Sequence, residues 1–367
     1  MTVAHNVTKT LDRVGMSVFS PLVRLVAGDR PREQLKQLGL FIGVPALAFG
    51  LFLLVWSLGS QSIVTKFGTL PNPLEVWTEA VSLLDSHFES RASRAAFEQK
   101  TAADIESFEE HATKFRAQAA TATGAQKVVL LKKASVLEES AKRAAARHYS
   151  GSPTYLDQIA TSLKTVFTGF VIASLIAIPL GVLCGLSAVF QAAMNPMIQI
   201  FKPVSPLAWL PIVMIVVGAT YTTDPSQAWF EKSFISSAFT VALCSLWPTL
   251  VNTALGVAAI DKDHMNVARV LKLGWWTRVR KIVIPSALPL IFAGLRISLS
   301  VGWMVLIAAE MLAQNPGLGK FVWDMFQNGS SQTLARIMVA VFTIGIIGFL
   351  LDRVMVVLQK SVSYEVV

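Results

Sequence analysis

The chain has 367 residues, 53% of them hydrophobic and 15% charged, with a net charge of +9 and a mean hydropathy of +0.55. An average soluble domain is less apolar and more charged, so these figures exclude a disordered segment, a nucleic-acid-binding arm and an ordinary cytosolic domain. The apolar residues are gathered into runs of the length, about 20 residues, that crosses about 30 Å of hydrocarbon.

Residues 1–37 carry six basic and three acidic side chains and read as a cytoplasmic basic N-terminal segment. No charge lies between Lys36 and Lys66, and residues 38–65, with their apolar stretch Leu38 to Leu58, predict a first transmembrane helix. A cleaved signal peptide is the competing reading, but a charged lead of 37 residues and so long an apolar run exceed that pattern. Residues 66–153 read as an extracytoplasmic insertion. Within it, 86–150 is rich in Ala, Glu, Lys and Arg, with no Pro and a single Gly, a helix-forming composition. Ile105, Phe108, Ala112, Phe115 and Ala119 recur at helical spacing, Thr121-Ala122-Thr123-Gly124 supplies a stop, and Val128, Leu131, Val136 and Leu137 resume an apolar face. The expectation is an antiparallel helical hairpin, followed by the linker Ser150-Gly151-Ser152-Pro153.

Residues 154–360 predict a core domain with five further spans. Thr165 to Phe201 is charge-free but too long for one helix, and Gln191, Asn195 and Pro196 punctuate it. Two helices, 160–189 and 196–219, joined by a tight turn, are expected there. Ser233 to Ile260 gives a fourth span, Pro285 to Leu312 a fifth that contains Arg296 and Glu310, and Ile337 to Leu358 a sixth with Asp352 and Arg353 near its end. Lys and Arg are enriched on cytoplasmic loops. The loop 260–281, with six basic and two acidic residues, therefore falls on the same side as 1–37. Six spans put both termini on that side and leave 66–155, 220–232 and 313–335 outside. The stretch 66–158 holds twelve basic and twelve acidic residues, so the charge excess belongs to the cytoplasmic faces.

Cys184 and Cys244 lie in apolar spans without metal-ligand spacing and read as small buried hydrophobes. The sequence has no G-x-x-x-x-G-K, His-Glu-x-x-His or Gly-x-Ser-x-Gly pattern. Any energy source therefore lies in another chain or in an ion gradient. The informative stretch runs from Asn266 through Val267-Ala268-Arg269-Val270-Leu271-Lys272-Leu273-Gly274 to Ile282-Val283-Ile284-Pro285. It predicts a short amphipathic helix whose apolar edge is Val267, Val270 and Leu271, with Pro285 at the start of the next span, where proline is tolerated.

This stretch resembles the cytoplasmic loop of the permease subunits of binding-protein-dependent ABC importers, which runs Glu-Ala-Ala, three residues, Gly, nine residues, Ile-x-Leu-Pro. With Pro285 on the terminal proline, Ile282, Ile284 and Ala268 fall on the Ile, the Leu and the second Ala without a gap. Asn266 stands at the usual Glu and Lys272 at the usual Gly, departures that match the group importing nitrate, bicarbonate, taurine and alkyl sulfonates. Ser162-Leu163-Lys164, the run from Ile178 to Gly185, Pro206 to Ile212, Trp247 to Thr253, Gly294-Leu295-Arg296 and Ala308 to Leu312 are similar to segments of the same group, nitrate importer permeases above all.

The resemblance implies an all-α, six-span type I (MetI-like) importer permease with an inserted extracytoplasmic hairpin, in the bacterial inner membrane. It implies that 154–360 is the core permease domain and 260–285 its cytoplasmic coupling loop. Asp263, Asn266, Val267, Ala268, Arg269, Val270, Leu271, Lys272 and Gly274 would contact an ATPase chain. The implied partners are that ATPase, an extracytoplasmic substrate-binding protein and a second permease copy, with no nucleic acid. This chain would bind no cofactor and have no catalytic activity, ATP being hydrolysed by the partner. The implied cargo is a small inorganic anion, nitrate or nitrite first. Taurine, alkyl sulfonate, bicarbonate or cyanate remain alternatives within the same machine, and a stand-alone anion channel or ion-driven transporter is the alternative from another class. A solvated basic loop at a lipid surface is the plain reading of 260–281.

Ionisable residues within spans are costly and mark function by default. Arg296 is a candidate for attracting the anion, with pairing to another helix as its alternative. Glu310, fourteen residues on and near the same helical face, would repel an anion and is expected to be paired structurally. Pro206 and Pro211 each remove a helical hydrogen bond, so the third span is expected to bend or break, with Ser205 and Trp209 lining the transport path. Trp56, Trp229 and Trp323 suit interfacial anchoring. The hairpin reads either as a contact for the binding protein or as a decorative insertion.

Overall fold

The computed structural model describes residues 20–28, 31–65, 68–147, 149–222 and 230–362. Trp229 and most of the basic N-terminal segment lie outside these residues. The described chain separates into two compact units, the segment 81–157 and the remainder.

The smaller unit is a helical hairpin. After the short helices α1 (Ser20–Val26) and α2 (Pro31–Leu38), a π turn (Gly39–Gly43), helix α3 (Val44–Ser62) and a two-stranded antiparallel ribbon pairing Val64 with Thr69, the chain enters α4 (Pro73–Thr121). The start of α4 is fixed by a capping box: Glu75 N–H donates to Asn72 Oδ1 at 2.9 Å and Asn72 N–H to Glu75 Oε2 at 3.1 Å, with Pro73 at the first helical position. The expected stop is present, because α4 ends at Thr121, Gly124 adopts φ +65°, and α5 (Ala125–Ala145) follows. Within the hairpin the buried face is built from Ala112, Ala119, Ala134, Ala141 and Ala144. The expected second stripe is corrected here: Val128, Leu131 and Val136 are exposed. Alanine lets two backbones approach without bulky side chains between them, and Arg116 reaches Glu138 across the hairpin at 2.8 Å. Being exposed, that ion pair contributes about 0–1 kcal/mol, so the alanine seam carries the packing.

In the larger unit the helices are α6 (Tyr155–Leu186), α7 (Ala188–Phe201), α8 (Pro206–Thr220), α9 (Lys232–Ala258), α10 (Lys262–Val270), α11 (Trp275–Arg278), a π turn (Val279–Val283), α12 (Ile284–Ala313), α13 (Leu318–Asn328) and α14 (Ser331–Val362). Five continuous runs are long and apolar enough to cross a membrane, and a sixth crossing exists if α7 and α8, bent by 101° at their break, make one span. The expected helices 160–189 and 196–219 are therefore redrawn. The first turn falls at Ser187, which caps α7 by accepting from Phe190 N–H, and Pro196 sits inside α7. The break comes at 202–205, just before Pro206, whereas Pro211 is accommodated within α8.

Half of the apolar window of α9 is buried and none of that of the first span, so α9 is central and α3 presents its side chains outward. Glycines let the neighbours of α9 come close, as small residues do where lipid offers no hydrophobic drive for helix association. A Cβ on Gly169, Gly181 or Gly185 of α6 would meet the α9 carbonyl oxygens of Ala238, Leu250 and Ala254, and one on Gly294 of α12 would meet Asn252 Cβ at 2.8 Å. Thr249 N–H and its hydroxyl both donate to Ser298 Oγ, at 3.0 and 2.7 Å, and join α9 to α12. Trp56 ties the first span to the bundle, stacking on Phe342 at 5.3 Å while its Nε1 donates to Pro71 O at 3.1 Å. Trp323 lies against Phe326 in α13, with ring centroids 5.9 Å apart.

Candidate functional site

The loop between α9 and α12 is a rigidly capped helix, not a free chain. Asp261 caps α10 by accepting from Asp263 N–H at 3.0 Å. At the other end Lys272 N–H donates to Arg269 O and Leu273 N–H to Ala268 O, both at 3.0 Å, with Lys272 at φ +50°. These two bonds and the left-handed residue make a Schellman C-cap, whose left-handed position is usually glycine because a Cβ is disfavoured there. The loop pattern that this sequence resembles has its Gly at that position, so local backbone geometry accounts for it. Lysine tolerates the conformation at a cost of about 1 kcal/mol. Lys272→Gly is accordingly expected to raise hydrogen-exchange protection of the α10 amides about fivefold, whereas Lys272→Ala, which keeps the Cβ, leaves it unchanged.

Ala268 is 2% exposed and faces inward, with Met265 packed on the cluster of Val182, Val257, Val279, Val283, Ala287 and Ile291. Val267, Val270 and Leu271 point out, as do Trp275 and Trp276, whose rings stack at 6.0 Å. Val270 is 80% exposed. Asp263, Asn266, Arg269, Lys272 and Gly274 are exposed as well. The structure thus brings the sequence-derived loop residues onto one projecting element, on which an apolar edge and two cations face outward.

At the break between α7 and α8, Ser205 caps α8 by accepting from Leu207 N–H at 3.3 Å. Trp209 follows one turn later. It packs on Phe201 with ring centroids 5.8 Å apart, and Phe201 in turn stacks on Trp247 of α9 at 6.2 Å and an interplanar angle of 11°. Leu210 joins Ala309 and Ala313 of α12. Trp209 is therefore held against Phe201 of α7, and Phe201 links it to Trp247 of α9. Trp247 and Phe201 were not singled out from the sequence; an indole next to Pro248 in an otherwise apolar run was the available signal.

Arg296 sits in a bidentate ion pair with Asp352 of α14, Nε to Oδ1 at 2.5 Å and Nη2 to Oδ2 at 3.0 Å. Its charge is matched across two spans, the arrangement expected for ionisable residues at membrane depth. The need for a partner was legible but the partner was not, since the fifth run also holds Glu310 and the sixth also Arg353. Glu310 is fully buried. Its carboxylate accepts from Ser162 Oγ at 2.8 and 2.9 Å, from Gly319 N–H at 3.0 Å and from Asn315 Nδ2 at 3.5 Å, while Ser162 Oγ accepts from Leu318 N–H at 2.8 Å. The side chain locks the turn between α12 and α13 onto the start of α6. Gly317 and Gly319 leave room for it, because a Cβ on Gly317 would fall on the Glu310 carboxyl. Among the described residues no group of three His, Cys, Asp or Glu side chains could hold a metal ion.

A nitrate import permease protein, NrtB, of Synechococcus elongatus is 36% identical over 206 residues, which are 56% of this chain and 69% of that protein. A bicarbonate transport system permease protein, CmpB, of the same organism is 37% identical over 204 residues, 55% of this chain and 68% of that one. Among solved structures, an inward-facing MetNI methionine ABC transporter superposes with a TM-score of 0.50, covering 56% of this chain and 95% of that chain; at 14% identity the likeness concerns the fold alone. Residues 177–364 match the family described as "Binding-protein-dependent transport system inner membrane component". That match takes in the broken span, the capped loop and the Glu310 turn together: the chain belongs to this family of ABC importer permeases.

Proposed function

We propose that the chain is the membrane subunit of an ATP-driven importer that moves a small inorganic oxyanion, nitrate first, across the inner membrane. The observation that carries the mechanism is α10, a capped helix held to the bundle by Ala268 and Met265 while Val267, Val270 and Leu271 face outward. A rigid helix fixed to two spans and seated in a partner transmits a rigid-body closure of that partner to the spans. In this reading the loop lies in the cytoplasm with both termini, a separate ATPase receives α10, a second permease copy completes the pathway, and an external binding protein delivers the anion. The similarity to a nitrate permease at 36% identity supports the cargo. Bicarbonate is the second reading, favoured by a relative of almost equal similarity.

Vesicles holding the permease with its ATPase and binding protein are expected to accumulate labelled nitrate only when ATP is supplied. Uptake that persists without the ATPase chain overturns the importer mechanism, and uptake of bicarbonate in place of nitrate moves the cargo to the second reading. Reversing Arg269 and Lys272 together to Glu is expected to lower ATPase co-purification at least tenfold. An intact complex with unchanged transport would show that these cations are not the contact.

A further inference from the structure

Among the described residues, two indole N–H groups at the broken span lack an acceptor. Trp209 Nε1 and Trp247 Nε1 are shielded from solvent, and neither has a hydrogen-bond partner among the described residues. An indole nitrogen only donates, and buried polar groups in native proteins are nearly always satisfied, so an orphan of this kind asks for an explanation. Here there are two, packed on the same ring. Phe201 ends α7, Trp209 lies in the opening turns of α8 and Trp247 lies midway along α9, so three helices converge on one aromatic cluster. The cluster stands where the span is bent by 101°, and irregular backbone at membrane depth is tolerated where it is buried in protein or lines a cavity. No acidic residue occurs between Asp157 and the described end of α8, and Lys202 is exposed within the break itself. Along α6 to α8 the chain therefore offers donors and positive charge, and the carboxyl of Glu310 on α12, where Leu210 packs on Ala309 and Ala313, is engaged by Ser162, Gly319 and Asn315.

We propose that Trp209 and Trp247 form a transit site for the transported small oxyanion, which supplies the two missing acceptors as it passes the break. The proposal rests on the oxyanion-import reading given above. Neutral indole donors suit such a site. They stabilise an anion in a place of low dielectric without fixing it in a permanent ion pair, and a transport site must bind weakly enough to release. Arg296, held by Asp352 on both carboxylate oxygens, is engaged elsewhere, so the anion meets dipoles at the break and no unopposed guanidinium is needed there.

Trp209→Phe and Trp247→Phe keep an aromatic ring against Phe201 while deleting the N–H together with part of the indole ring. In the assembled importer each is expected to raise the half-saturation concentration for nitrate transport about three- to tenfold, the loss of one neutral hydrogen bond. The double variant should exceed either single one. A half-saturation unchanged in the double variant, with the wild type active, overturns the site and leaves the importer reading intact. A wild-type assembly that imports neither nitrate nor bicarbonate overturns both. A second measurement does not depend on the variants folding: with indole-15N tryptophan in the unmodified assembly, two of the nine indole resonances should move downfield when sodium nitrate or sodium bicarbonate is added. Absence of any shift with either salt, as an acceptor supplied by a second copy of the chain would produce, overturns the proposal.

Discussion

Replacing Glu310 with alanine is expected to destabilise the folded permease by about 3–5 kcal/mol, read as a lower thermal midpoint of the purified complex and a smaller amount in the membrane. The carboxylate receives the Ser162 hydroxyl, the Gly319 N–H and the Asn315 amide in a fully buried position. Hydrogen bonds to a charged group contribute about 1.5–3 kcal/mol each, and removing the acceptor strands its donors away from water. Alanine also leaves a void where the side chain stood. Glu310→Gln keeps the volume and one carbonyl oxygen but turns the second acceptor into a donor that faces other donors, so an intermediate loss of about 1–3 kcal/mol is expected. A midpoint for Glu310→Ala equal to that of the wild type would show that the α12–α13 turn is held by its backbone alone.

Valine at Gly181 and Gly185 together is expected to be comparably severe. The added Cβ atoms would stand 2.8 Å from Leu250 O and 2.7 Å from Ala254 O, and these are backbone atoms of a helix that cannot turn aside. The helices α6 and α9 must separate, which costs about 1–3 kcal/mol for each overpacked site and opens the central helix of the bundle. Alanine at the same two positions carries the same Cβ and should already show part of the loss. Normal assembly of the double valine variant would mean that α6 and α9 do not need this approach.

Some of this was legible in residues and some was not. The charge-free runs marked the spans, and Gly124 with the threonines before it marked the tip of the hairpin, because helix stops are written locally. The loop pattern placed α10 for the same reason. Gln191, Asn195 and Pro196 predict the turn between 189 and 196, yet a proline is tolerated inside a span where neighbouring groups take up the freed carbonyl, and Ser187 caps the start of the next helix earlier, at Ala188. The stripe of the first hairpin helix includes Ala112 and Ala119, which are buried, but that of the second rests on Val128, Leu131, Val136 and Leu137, where close helix packing selects Ala134, Ala141 and Ala144. Arg296 and Asp352 lie 56 positions apart, and Glu310 and Ser162 lie 148 apart. Such pairs depend on which helices become neighbours, and no spacing along the chain records that.

The π turn at Val279–Val283 sets the phase between the loop and the span that follows it. It lies directly before Ile284-Pro285, and the π turn at Gly39–Gly43 lies directly before Val44-Pro45; a ring that lacks an N–H is accommodated in each case by one wider turn. A widened turn holds one residue more than an α turn, and one residue is about 100° of rotation. Because the wider turn absorbs that residue, deleting one residue from 279–283 would let the helix close into regular winding with Trp275 and Trp276 facing nearly as before, since the π turn and the α turn each complete about one revolution. The direction in which the loop faces is thus buffered against the length of the chain at this turn, and it is the winding, α or π, that sets its aim.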